Sequence, residues 1–111
     1  MSVTPDDWAI GVIAPEGPAS QACDATNDGN VNEDFTISVS GSDHWTAGAT
    51  AAENVFVMEE GVTVLSGTPV SLATGVVPAA ADSFTLNFTA PSAGSVSTEQ
   101  TIIVTVTASP A

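Results

Sequence analysis

Lysine and arginine are absent from all 111 residues, against 13 aspartates and glutamates, so the formal net charge is −13. A domain of this length ordinarily carries roughly a dozen basic side chains. Without them there is no guanidinium fork or ammonium group to grip a phosphate, a carboxylate substrate or a nucleic-acid backbone, which excludes nucleic acid and anionic membranes as partners. His44 and the N-terminal amine are the only groups able to carry positive charge. The carboxylates repel one another with no basic side chain to pair with. Salt relieves that repulsion, because the Debye length shrinks from about 8 Å at physiological ionic strength to about 3 Å at 1 M. Stability is therefore expected to rise with salt.

Cysteine is nearly absent too. Cys23 stands alone, so the chain forms no internal disulfide and no thiolate metal cluster. As a nucleophile it would need a base beside it, and the single histidine lies well downstream, so Cys23 reads as an ordinary small residue. Long apolar runs are missing as well: no stretch reaches the roughly 18 residues of a membrane span. Met1 to Trp8 has neither the basic region nor the apolar run of a secretory signal. With Met1 as the native start, the protein is expected to be made and released in the cytoplasm.

What is present is 43% hydrophobic residues, enough for one core, and residues 1–111 read as a single domain. Apolar and hydroxyl side chains alternate in Phe35 to Ser40, in Phe84 to Thr89 and in Thr101 to Thr107, the pattern of half-buried strands. Weaker strand candidates run over Trp8 to Ala14, Asn54 to Met58, Val62 to Leu65 and Pro69 to Ala73. Glu59-Glu60-Gly61 reads as a hairpin turn, with Gly61 supplying the positive φ of a G1 bulge. Helix is expected to be scarce, limited to one turn in Ala47 to Glu53, while Pro78 to Ala81 reads as an extended or 3₁₀ link. About seven short strands, punctuated by seven prolines and nine glycines, predict an all-β fold, an antiparallel sandwich, with barrel closure as the alternative.

The stretch Phe84-Thr85-Leu86-Asn87-Phe88-Thr89-Ala90-Pro91, a polar loop, and then Thr101 to Ala108 resembles the last two strands of bacterial and phage immunoglobulin-like domains. The resemblance is a strand pattern covering about a quarter of the chain, and it implies an immunoglobulin-like β-sandwich. The Cys and Trp spacing of antibody domains is missing, as is a tyrosine for a tyrosine corner.

The most site-like segment is Asp24 to Asp34, rich in oxygen-bearing side chains around Gly29. Ca²⁺ takes six to eight oxygen ligands at about 2.4 Å from a tightly curled loop, and Asp24, Asp28, Asn32 and Asp34 are the candidate metal ligands. Asp24, Thr26, Asp28, Gly29 and Asn32 match positions of an EF-hand or dockerin-type loop, but Phe35 stands where that loop has its bidentate acid. The same residues read as a solvated turn bending at Asp28-Gly29. Asp43 and His44 are adjacent, and on an extended chain they point to opposite sides, which argues against a catalytic dyad. Trp45 and Trp8 read as packing residues or interface anchors. Asn87-Phe88-Thr89 matches the N-glycosylation pattern but lies within a strand.

These features point away from an enzyme and toward a structural protein of an extracellular assembly, most concretely a decoration protein on a phage capsid, located on the virion surface. Its expected partners are the capsid, a neighbouring subunit or further copies of itself, met through strand edges and through Met1 to Asp7 and Ala108 to Ala111 as added strands. The alternative is an immunoglobulin-like adhesion or spacer module of a bacterial surface protein, stiffened by Ca²⁺ at the acidic loop. A carbohydrate-binding or catalytic role is the third class, served poorly by two tryptophans and one histidine.

Overall fold

Where apolar and hydroxyl side chains alternate, an extended chain is the conformation that buries one set and leaves the other toward water. The protein is described by a computed structural model over residues 1–94 and 98–111, in which nine strands form and no helix occurs among the described residues. They are β1 (Ser2–Thr4), β2 (Pro18–Thr26), β3 (Glu33–Ser40), β4 (Thr46–Ala47), β5 (Val55–Glu60), β6 (Thr63–Val64), β7 (Val70–Val76), β8 (Ala81–Thr89) and β9 (Ile103–Pro110). One sheet has the order β1-β2-β8-β5-β4, with β6 also paired to β5, and the other has the order β7-β3-β9. Every pairing is antiparallel except β4 with β5.

The three strongest sequence patterns become β3, β8 and β9. Phe35, Ile37 and Val39 of β3 meet Phe84, Leu86 and Phe88 of β8 between the sheets, with Cys23 and Ala25 of β2 and Phe56 and Met58 of β5. The Phe56 and Phe88 rings lie 5.8 Å apart at 31°, within the range where tilted aromatic pairs attract. The chain closes one side of the sandwich itself. Leu65 donates its N–H to the Met58 carbonyl of the first sheet at 2.8 Å, and the Ser66 carbonyl accepts from Val39 of the second at 2.9 Å. Leu65, fully buried, is thus the crossing point between sheets. Because β6 leads straight into β7 here, β1 and β9 are the edge strands of their sheets on the opposite side.

Several expectations need correction. The described residues hold nine strands rather than about seven. Strand β2 lies in a stretch that carries no β-branched alternation, whereas Trp8 to Ala14 has no strand; there Trp8, Ile10 and Ile13 pack an irregular segment against the core. Ala47 to Glu53 makes no helical turn, and Ala52 and Glu53 instead form single bridges to Val55 and Ala93. The β5–β6 hairpin forms with Glu60 opposite Thr63, leaving two residues in its loop. With φ of +58° at Gly61, the first of them, this is the pattern of a type II′ turn rather than a G1 bulge. Val77 to Ala80 is a turn closed by the Ala80 N–H to the Val77 carbonyl at 3.0 Å. The termini are not loose tails: Ser2 to Thr4 pairs with β2, and Ala108 to Pro110 pairs with β3.

Candidate functional site

The acidic segment begins later than its composition suggests, because β2 runs on to Thr26. Asp24 therefore belongs to a strand, on the outer face of the sheet, where it accepts a hydrogen bond from the Ser83 hydroxyl at 2.5 Å. The loop proper is organised by Asn27, which is 0% exposed. Its Nδ2 donates to the carbonyls of Val31 and Val76, both at 2.8 Å, and its Oδ1 accepts from the Gly29 N–H at 2.8 Å. Its own backbone bonds Ala80 and Ala79 at 2.9 and 2.8 Å. One amide thereby ties the 27–32 loop to the turn between β7 and β8, with every polar group it buries satisfied.

The four expected Ca²⁺ ligands are engaged separately. Asp24 bonds Ser83. Asp28, exposed at the bend, lies 3.5 Å from the N-terminal amine and accepts from the Ser2 hydroxyl at 3.4 Å. Asp34 accepts the Gly75 N–H at 2.9 Å. Asn32 is exposed, and its backbone carbonyl accepts from Ala111 at 2.9 Å. Among the described residues, no group of three or more His, Cys, Asp or Glu side chains forms a metal-holding cluster. Glu33 contributes one buried carboxylate oxygen near Gly29 that has no hydrogen-bond partner among them.

At the opposite tip, Gln100 Oε1 accepts from the Ser42 hydroxyl at 2.5 Å and from the His44 N–H at 3.1 Å, pinning the turn that carries Trp45. Asp43 and His44 are exposed, and no hydrogen bond joins their side chains. Trp45 lines a depression of about 190 Å³ with Ile13, Ala14, Pro15, Ala90 and Pro91, and its indole N–H is buried without a partner among the described residues. Asn87 is occupied, accepting from Ser20 at 2.7 Å and donating to the Gly61 carbonyl at 3.0 Å. Burial, and then the neighbouring Asp24 carboxylate, push the Cys23 thiol above its ordinary value, the opposite of what a nucleophile requires.

The feature that composition did not reveal is the direction of the peptide groups along β9. The Val39 N–H points to Ser66 on the β7 side, and N–H groups alternate in direction along a strand. The even-numbered residues of β3 therefore point toward β9, where they pair with Ile103, Thr105, Thr107 and Ser109. Ala111 confirms this parity, since its N–H bonds Asn32 of the same side. Val104, Val106 and Ala108 consequently aim their N–H and C=O groups out of the sheet, and no backbone partner meets them among the described residues. Their side chains point inward but are only half-buried, while Ile103 on the outer face is 58% exposed. From Gln100 to Ala111 there is no charged side chain.

Comparison of this chain with models of known protein families, with curated proteins and with solved structures finds no match.

Proposed function

We infer that this chain is a non-enzymatic structural subunit of an extracellular assembly, most concretely a decoration protein bound to the outside of a phage capsid. The observation that carries this reading is the open side of the sandwich, where an eight-residue edge strand presents peptide groups unpaired among the described residues, and no charge. An edge of that kind is a template for another strand, and folded proteins normally blunt it with lysine, proline or a bulge. Here only Pro110, at its far end, does so. The sheet orders support an immunoglobulin-like reading of the fold: β1-β2-β8-β5 corresponds to strands A-B-E-D, β3 and β9 correspond to C and F, and no described strand takes the place of G. Strand β7, which follows β5 and β6 in the chain, departs from that scheme.

The test is co-sedimentation with a panel of purified phage capsids. Saturable binding at a fixed ratio to the capsid protein is the expected result. Binding to every capsid no greater than that of an unrelated β-sandwich of equal charge removes the reading.

A further inference from the structure

We propose that the free edge of β9 pairs antiparallel with β9 of a second copy of this chain, joining two three-stranded sheets into one of six. The proposal builds on the reading of the chain as an assembly component and names one partner at its open edge.

Electrostatics favours self-pairing at this edge over any other. Two copies of a chain with net charge −13 repel wherever carboxylates face each other. The region from Gln100 to Ala111 carries none on its side chains, so along β9 the backbones can approach to the 4.7–4.9 Å of a ladder with no like charges directly opposed.

Register favours the same pairing. Only even-numbered residues present peptide groups to the free edge, so in an antiparallel pair even-numbered residues face even-numbered ones. Inward valines then remain opposite inward valines, and outward threonines opposite threonines, without choosing among many alignments. Pro110 has no N–H to donate, which limits how far the copies can slide. One such pairing, which stops short of Pro110 and takes in Ile102 just before β9, places Thr105 opposite Thr105 on a two-fold axis, with Val104 opposite Val106 and Ile102 opposite Ala108. An arrangement of this kind is self-complementary, as a two-fold interface must be.

Burial is incomplete along the same edge. Val104 and Val106 point between the sheets yet stay half-buried, because no described strand lies beyond β9 to cover them. The same two residues from a second copy supply that cover. Exposed Ile103 gains an apolar neighbour as well, since this register sets it opposite the methyl of Thr107 on the outer face.

Two experiments decide the matter without any capsid, so their outcome is separable from the functional reading above. In sedimentation equilibrium the wild-type chain is expected to dimerise, more tightly as NaCl rises. Thr105→Glu, which sets two like charges face to face on the axis, is expected to weaken the dimer at least about tenfold. Ser71→Glu, on the same outer face but at the opposite edge of the sheet, should leave it unchanged. A wild-type chain that stays monomeric at high concentration in both low and high salt overturns the proposal. So does a dimer indifferent to Thr105→Glu.

The second experiment needs no variant. By hydrogen exchange, the amides of Thr105 and Thr107 are slow at any concentration because β3 holds them, whereas those of Val104, Val106 and Ala108 become slow only as protein concentration rises. Exchange of the latter three that is independent of concentration also overturns the proposal.

Discussion

Asn27 shows how much of this structure rests on single polar side chains. A buried amide with both its donors and its acceptor used is stabilising, but removing it leaves the carbonyls of Val31 and Val76 and the N–H of Gly29 without partners. At roughly 1 kcal/mol for each orphaned group, Asn27→Ala should cost about 2–3 kcal/mol in urea denaturation. A loss under about 0.5 kcal/mol would mean that the loop rearranges around the gap. Asp82 is the reverse case. Burial raises its carboxyl above the ordinary 3.8, so the folded state favours the protonated form. That contribution is complete below 3.8 and is lost as pH rises through the higher folded value. Asp82→Asn is therefore expected to stabilise the protein at pH 7 and to be neutral at pH 3. Exposed Asp6→Asn serves as the control for simple removal of a charge. An Asp82 variant that matches the control at both pH values would show that burial of the carboxyl costs nothing.

At the scale of elements, the sequence was legible where a strand buries bulky side chains. Strands β3, β8 and β9 announce themselves by Phe, Ile, Leu and Val at every second position. Strand β2 does not, because its inward residues are Ala19, Gln21, Cys23 and Ala25, two of which pair directly with Phe88 and Phe84. Large rings on one strand leave room only for small groups on the next, and a run of small residues carries no recognisable alternation. The same blindness extended the acidic loop back to Asp24, which is in fact a strand residue whose carboxylate faces Ser83. Trp8 to Ala14 misled in the other direction, since apolar residues anchor an irregular segment as well as a strand. Asn27 did leave a signal, the Asn-x-Gly spacing of an Asx-turn, hidden among its acidic neighbours. The β5–β6 hairpin offers a test of turn chemistry. Gly61 sits at φ +58°, and no atom lies within 4 Å of the point a Cβ would occupy, so Gly61→Ala meets only the backbone cost, about 1 kcal/mol. Gly61→Asn should recover part of it, as asparagine tolerates that conformation better. Equal stability of all three forms would show that the turn adopts another geometry.

For the whole molecule, the missing basic residues reverse the usual effect of acid. Most proteins accumulate positive charge as carboxylates are protonated; this one moves from −13 toward the charge of His44 and the N-terminal amine alone. Self-repulsion is therefore greatest at neutral pH and low salt. The melting temperature should rise with NaCl at pH 7, change far less with NaCl at pH 3, and be no lower at pH 3 than at pH 7 in low salt. A clear fall on acidification would show that hydrogen-bonded carboxylates such as Asp34 matter more than mutual repulsion. The same loss of charge removes the barrier between copies, and because only His44 and the N-terminal amine are positive, solubility should be lowest below the ordinary carboxylate range of about 4, where most of the carboxylates are protonated. The molecule is also elongated, 47 by 23 by 22 Å, with Met1 beside Asp28 and Ala111 bonded to Asn32 at one end. A tether joined to either terminus therefore leaves from the same pole, and the tip bearing Trp45 and Pro91 is held at a distance, like the head of a pin.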